Sequence, residues 1–418
     1  MPTTYQTGSN ARIAYKKQAG LGVPASGAGA NVLRIAGGAG VKLAKQAIAS
    51  AEIRADGMST RGRHGTQQIT AAYNAEASLG ALDPIIEAIM RGTWDATGLA
   101  KTQADFTSLT TVADGILLNT GSPIAMGFRV GDVFRATGLP DAANNNRNLR
   151  VAGLSNQKIT TAETLTANAV ADTTCSLTRP GKRLINPATL LKSYFTVEEF
   201  EGDIDQSTVV QDCVWGSIKF SMSSENSLLM ADPSLVGTGQ IQALPNGSSP
   251  MFAAPVATQD SPFSVVDATI RFGGLDLVEL TSFDLTLDIA PNAPATFGSD
   301  AQKFSPDVFT VPLQVSMNLT ALRKDLARLA DFIAETRYSL HVLAVDNMVE
   351  PKDFLSISVP NFTLGSVDPS PLASRADRER KRSQSPPAWS ALRPIRRTVS
   401  IRRRSRFRRL RPRGVTTA

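Results

Sequence analysis

Residues 217–222, Ser217-Ile218-Lys219-Phe220-Ser221-Met222, alternate polar and apolar side chains without a break. Successive side chains on an extended strand point to opposite faces, so this stretch reads as a strand with one buried and one wetted face. Similar runs lie on both sides of it, at 193–200, 209–215, 268–272, 275–289, 309–319, 338–345 and 354–359. The fold class they predict is mainly β. One helical pattern interrupts the series. Leu322, Leu326, Leu329 and Ile333 recur at i, i+4, i+7 and i+11, with Arg323, Lys324, Asp325, Arg328 and Glu335 on other faces. That spacing predicts an amphipathic helix near 320–336, packed on one side of a large sheet or sandwich.

Upstream, Ile69, Ala71, Tyr73 and Ala75 alternate with Thr70 and Asn74, a second half-buried strand. Leu82-Asp83-Pro84 starts a short helix, with Asp83 as expected N-cap, an apolar face at Ile85, Ile86, Ile89 and Met90, and Gly92 as its end. Residues 1–50 are rich in Gly, Ala and Ser and read as an extended arm and loop, with Gly37-Gly38-Ala39-Gly40 as a flexible turn. A phosphate loop is not indicated there, because Val41-Lys42-Leu43 follows the last glycine in place of Lys-Ser or Lys-Thr. From about 106 to 182, short alternating runs are divided by Gly and Asn turns, as in an inserted small β domain. The expected organisation is therefore an arm over 1–50, the first part of the main β domain with its short helix over 51–105, the insert over 106–182, the main β domain over 183–370, and a basic tail over 371–418. Residues 232–262 read as a long polar loop.

The net charge of +7 hides a division. Residues 371–418 hold sixteen Lys or Arg against Asp377 and Glu379, a net of +14, which leaves −7 on residues 1–370. An acidic body with a basic tail needs two separate readings. No apolar run approaches the ~18 residues that span a bilayer, and no secretory signal precedes the body. Cys175 and Cys213 leave open one bridge or two free thiols, and a reducing compartment favours the thiols.

Catalytic chemistry is not indicated. The two histidines, His64 and His341, lie in different segments without a motif partner, and no Gly-x-Ser-x-Gly elbow or zinc-spaced Cys/His set occurs. Glu198, Glu199, Glu201, Asp203 and Asp205 match no calcium-loop spacing and read as a solvated acidic loop. The chain is expected to be no enzyme and to need no cofactor or metal.

Several segments, in order, resemble the tail tube proteins of long-tailed bacteriophages and of gene-transfer agents. They are Ala11-Arg12-Ile13-Ala14-Tyr15 through Gly22-Val23-Pro24-Ala25, Gly62-Arg63-His64-Gly65 through Ile89, Gly127-Phe128-Arg129-Val130-Gly131-Asp132 with Asn148-Leu149-Arg150-Val151, and Pro360-Asn361-Phe362-Thr363-Leu364. The resemblance covers most of positions 5–370. It implies a tail-tube-type β-sandwich or barrel that forms rings, usually of six subunits, whose inner sheets join into one barrel. The rings would stack around a tape measure protein and later around viral DNA, with tail terminator and baseplate proteins at the ends and no membrane. Ring contacts are expected in the long loops and the N-terminal arm. Two other readings stand beside it: a nucleic-acid-binding protein that uses the tail, and another virion protein such as a minor tail or capsid decoration subunit.

The tail departs from the family, whose members usually finish on an apolar strand. It admits three readings: a shifted reading frame, since GC-rich coding DNA read out of frame yields Arg, Pro and Ser; a disordered extension; and a DNA-binding arm. In the last, Arg402, Arg403, Arg404, Arg406, Arg408 and Arg409 would contact phosphates.

Overall fold

The computed structural model describes residues 5–367 except 9, 226, 278, 297–303, 323, 325 and 347–350, and the backbone of 382–383 and 400–403. The described chain divides into two units. The larger takes 5–94, 184–346 and 357–367, and the smaller takes 95–183 and 351–356.

The larger unit opens with β1 (Ala11–Lys17), β2 (Asn31–Leu33), β3 (Ile35–Ile48), β4 (Arg63–Glu76) and α1 (Asp83–Met90). The glycine run expected as a turn lies inside β3. Register shifts between Ile35 and Gly37 and between Gly38 and Gly40 take up its irregular backbone. Gly38 has φ +139°, and a Cβ there would sit 2.7 Å from the Ala72 carbonyl oxygen, so only glycine lets the two strands approach. In α1 the expected apolar face is buried. Its caps are displaced from expectation: Leu82 holds the N-cap position, and Arg91, not Gly92, takes the left-handed conformation with φ 55°.

The smaller unit holds β5 (Leu99–Lys101), α2 (Gln103–Phe106), β6 (Leu109–Val112), β7 (Gly115–Leu118), β8 (Val133–Thr137), β9 (Leu149–Leu154), β10 (Lys158–Thr161), β11 (Asn168–Asp172) and β12 (Ser176–Arg179). Its eight strands run in the order β11-β6-β7-β10-β9-β8-β12-β5 around a core that includes Phe106, Phe128, Phe134, Leu149, Ile159 and Leu177. Asp95 and Arg183, at its two ends, exchange backbone hydrogen bonds of 2.8 and 2.9 Å. The compact region thus starts at 95, ahead of the 106 read from the sequence.

After β13 (Lys182–Leu184) come β14 (Phe195–Glu201), β15 (Gln206–Ser223), β16 (Met230–Gly237), β17 (Ile241–Leu244), β18 (Ala268–Phe272), β19 (Leu275–Asp276), β20 (Leu280–Asp288), β21 (Gln314–Leu322), α3 (Ala327–Ile333), β22 (Tyr338–Val345) and β23 (Phe354–Phe362). Two short strands follow, β24 (Arg382–Ser383) and β25 (Ser400–Arg403). β16 and β17 occupy part of what reads as a polar loop. Asp232-Pro233 looks like a turn, yet β16 pairs on both sides, with β15 and with β4, and tertiary pairing overrides the local signal.

β15 is the spine of an eleven-stranded antiparallel sheet. Its first half pairs with β14 and β17 and its second half with β16 and β20. Between the halves Asp212 adopts φ 51° and the register shifts between Trp215 and Ser217, so the strand serves two sheet portions. Trp215 is fully buried there among Tyr15, Tyr73 and Phe195, with ring centroids 5.6, 6.2 and 6.3 Å away.

The packed helix expected near 320–336 is present only as the seven residues of α3, and its orientation is reversed. Leu326, Leu329 and Ile333 are exposed, and Leu322 beside it is exposed at the end of β21. The charged side faces the sheet instead. Arg328 stacks 4.9 Å over Phe272 and 5.6 Å over Tyr338, and Asp331 accepts from the Tyr338 hydroxyl. Cation–π contact and the hydrogen bonds of the Tyr338 hydroxyl hold the helix by the face that periodicity assigned to water, and a 3.5 Å ion pair between Arg328 and Asp331 within the helix keeps the two side chains together.

Candidate assembly surfaces

β3-β4-β16-β15-β20-β21 form a continuous antiparallel run within the large sheet. On one face Ile69, Tyr73, Ile218, Phe220, Phe283, Leu285, Met317 and Leu319 are buried. The register sets the other face. One row across it reads Gln314, Asp288, Ser217, Ser234, Ala72 and Gly40. The next contains Ser316, Thr286, Lys219 and Asp232, and a third runs Asn318, Asp284, Ser221, Met230 and Glu76. These side chains are exposed or half-buried, short, and mostly hydrogen-bonding.

The rows tie to one another. Ser217 and Ser234 share a 2.7 Å hydroxyl hydrogen bond, and Lys219 pairs with Asp284 at 3.1 Å. With Lys219 so engaged, Asp232 and Asp288 leave the centre of the face net acidic. Burial raises the Asp232 carboxyl above its ordinary range, Lys219 opposes that shift, and neighbouring Asp284 adds to it. Such a face, net acidic at its centre, offers phosphate groups little cationic hold.

Two edges flank this run, and they differ. β3 presents Lys42, Lys45 and the glycine bulges, and β21, which pairs with β24 only at Ala321 and Leu322, presents Gln314, Ser316 and Asn318. Charges and bulges are ordinary protections of an unpaired edge. From beneath, Glu199 steadies β3: its Oε1 accepts the Val41 amide and the Tyr73 hydroxyl, each at 2.9 Å. Burial pushes the Glu199 carboxyl up, and those two hydrogen bonds partly offset the shift.

The acidic cluster is therefore only in part the solvated loop expected: Glu201 is exposed, and Asp203 and Asp205 lie in the turn between β14 and β15, but the first two acids lie outside it. Glu198 and Glu199 lie in β14 facing the interior, and Glu198 accepts the Ser207 hydroxyl and the Met251 and Phe252 amides. Asp203 takes the Thr7 amide and the Asn10 side chain, both at 2.7 Å, which anchors the start of the described chain. Residues 18–30 are likewise tied down, with the Gly22 amide donating to Asp212 and Lys16 reaching the Ser26 and Ala28 carbonyls. The sequence had no local signal for these contacts, since the partners lie up to 196 positions apart.

His341 is buried in β22 and His64 is exposed in β4. Cys175 and Cys213 are free, buried thiols, and burial raises Cys175 to about 11. Among the described residues no group of three His, Cys, Asp or Glu side chains is placed to hold a metal ion, and no helix is long and apolar enough to cross a membrane. Of the arginines read as phosphate contacts, Arg402 and Arg403 fall in β25, but their side chains, with all of Arg404, Arg406, Arg408 and Arg409, lie outside the described residues.

The sequence model of the family described as phage tail tube protein matches residues 8–371. The chain belongs to that family. No curated protein matches it. This phage tail tube protein is a mainly β structural component of the virion, from a family that assembles as homo-oligomers in a tail and is generally non-enzymatic. The matched region ends where the basic segment begins.

Proposed function

We propose that this tail tube protein forms rings, six subunits to a ring, in which the β3 edge of one copy joins the β21 edge of the next. The polar face described above then lines a continuous channel, and stacked rings carry viral DNA through it during ejection. The observation that carries this reading is the six-strand run with one apolar face, one short-chained acidic face and a free-standing strand at its β3 side. Edge strands supply the backbone hydrogen bonds for joining copies, and an acidic polar wall lets a polyanion slide. During assembly the same channel would hold a tape measure protein, with terminator and baseplate proteins at its ends, in the host cytoplasm.

Negative-stain electron microscopy of the purified chain, beside a version truncated after Ser370, tests this. Rings or tubes with a central hole from either version support it; compact monomers from both at high concentration overturn it. The truncation also tests the second reading, because it removes the sixteen bases of the tail. If salt-sensitive binding of duplex DNA disappears with them, the nucleic-acid contact belongs to that segment.

A further inference from the structure

The smaller unit gathers three arginines around two carboxylates where its chain enters and leaves. Arg179 ends β12 and Arg183 lies in β13, and both side chains are buried. Arg129, in the turn ahead of β8, is exposed. The acids are Asp132, which is fully buried, and Asp95, whose side chain is 42% exposed. Three cations against two carboxylates leave a net of +1.

The cluster is firmly positioned but loosely paired. Gly127 and Gly131 take φ +98° and +84°, and Asp132 Oδ2 accepts the Arg129 amide at 3.2 Å, so the turn fixes the backbone at Arg129. Arg179 Nη2 donates to the Thr97 carbonyl at 2.8 Å, and Arg183 Nη1 to the Gly127 carbonyl at 3.3 Å. The ion pairs are long. Asp95 Oδ2 lies 3.3 Å from Arg179 Nη2 and 3.8 Å from Arg183 Nη2, and Asp132 Oδ2 lies 3.4 Å from Arg183 Nη1. Charge-assisted bonds ordinarily span about 2.7–2.9 Å. In the same unit Arg150 meets Glu163 at 2.5 Å and Lys158 meets Asp114 at 2.6 Å. The Nε atoms of Arg179 and Arg183 are buried with no acceptor among the described residues, and the Arg129 guanidinium has no hydrogen bond or ion pair among them.

Burial lowers the Arg183 pKa to about 10, the charges of Arg179 and Arg129 add to that shift, and Asp95 opposes it. Arg179 is lowered by burial as well, again against Asp95. Desolvated cations that repel one another and lack acceptors are short of negative charge. We propose that the Arg129–Arg179–Arg183 cluster is a binding site for a singly charged oxyanion, the group that a phosphodiester and a sugar carboxylate share. One negative charge balances the net +1, and paired oxygens take two guanidinium N–H groups at once. Arg129 supplies the exposed cation that meets the ligand, and Arg179 and Arg183 the buried charge behind it. Asp95, half-exposed and shared between the two buried arginines, competes for the same donors. The site lies wholly in the smaller unit, so it stands or falls apart from the channel reading.

The test is an NMR titration of the full chain at fixed ionic strength, with a glycerol phosphodiester in one arm and glucuronate in the other. Saturable binding of either probe supports the site, and the arm that saturates at the lower concentration names the source of the charge. Arg129→Gln is expected to weaken that binding roughly tenfold or more, the loss of one charge-assisted contact. Its urea midpoint should match the wild type, because the Arg129 guanidinium bonds to nothing the fold needs. Asp95→Asn removes the competing carboxylate and is expected to tighten binding severalfold. Lys45→Gln, which removes an exposed cation of the larger unit, should leave binding unchanged. Absence of saturation with both probes overturns the site, as does binding to Arg129→Gln that equals the wild type. A loss that Lys45→Gln reproduces is general charge attraction and overturns it too. Weaker binding by Asp95→Asn at an unchanged urea midpoint has the same meaning.

Discussion

Glu199 is a half-buried carboxylate between β14 and the β3–β4 pair, with two donors and a raised pKa caused first by desolvation. The folded state therefore holds its proton more tightly than the unfolded chain does. Its contribution to stability is fully present below the ordinary glutamate value of about 4.3 and is lost as pH rises through the higher folded value. Glu199→Gln keeps an acceptor for the Val41 amide and removes the titration. Urea midpoints measured across that range should rise toward acid less steeply in this variant than in the wild type; parallel curves would contradict the assignment. Glu199→Leu leaves both donors unmet and should cost about 1–3 kcal/mol. At Gly38, valine meets both the left-handed backbone and the Ala72 carbonyl. Chemical denaturation of Gly38→Val should show a loss of about 2 kcal/mol or more.

At the scale of elements, α1 and α3 make opposite use of aliphatic stripes. The α1 residues Ile85, Ile86 and Ile89 are buried, whereas the α3 leucines and Ile333 face solvent because Arg328 and Asp331 hold the other side. Ile86→Ala should cost about 2–4 kcal/mol by denaturant titration. Leu326→Lys and Ile333→Lys should stay within about 0.5 kcal/mol of the wild type, since neither empties a packed site. Equal losses in the two helices would show that the α3 stripe is covered. Periodicity alone treats the stripes alike; it reports which residues share a face and not which face meets the protein.

For the whole molecule, the ring-and-channel proposal makes a charge prediction. Asp284→Lys combined with Asp288→Lys converts the centre of the polar face from net acidic to basic, at half-buried positions that already accommodate polar chains. Tubes of normal width should still form, because both edges of the six-strand run are unchanged. Duplex DNA should then be retained by those tubes at low salt and released as salt rises. Retention equal to the wild type would place these residues away from the channel.

Alternation in residues 69–75 and 217–222 was enough to determine the strands β4 and β15 and which of their side chains are buried, because a period of two has only two faces to choose from. The charge division at residue 371 was also legible from composition alone, as was the resemblance that the family match from 8 to 371 bears out. Tertiary structure alone decided that the glycine run belongs in a strand, that Asp232-Pro233 sits in a paired one, that Glu198 and Glu199 turn inward, and that α3 turns its leucines outward. Each of these depends on partners distant in the chain: Ala72 for Gly38, Lys219 for Asp232, Phe252 for Glu198, and Phe272 for Arg328. Local propensity amounts to tenths of a kcal/mol per residue, and long-range pairing, burial and stacking each outweigh it.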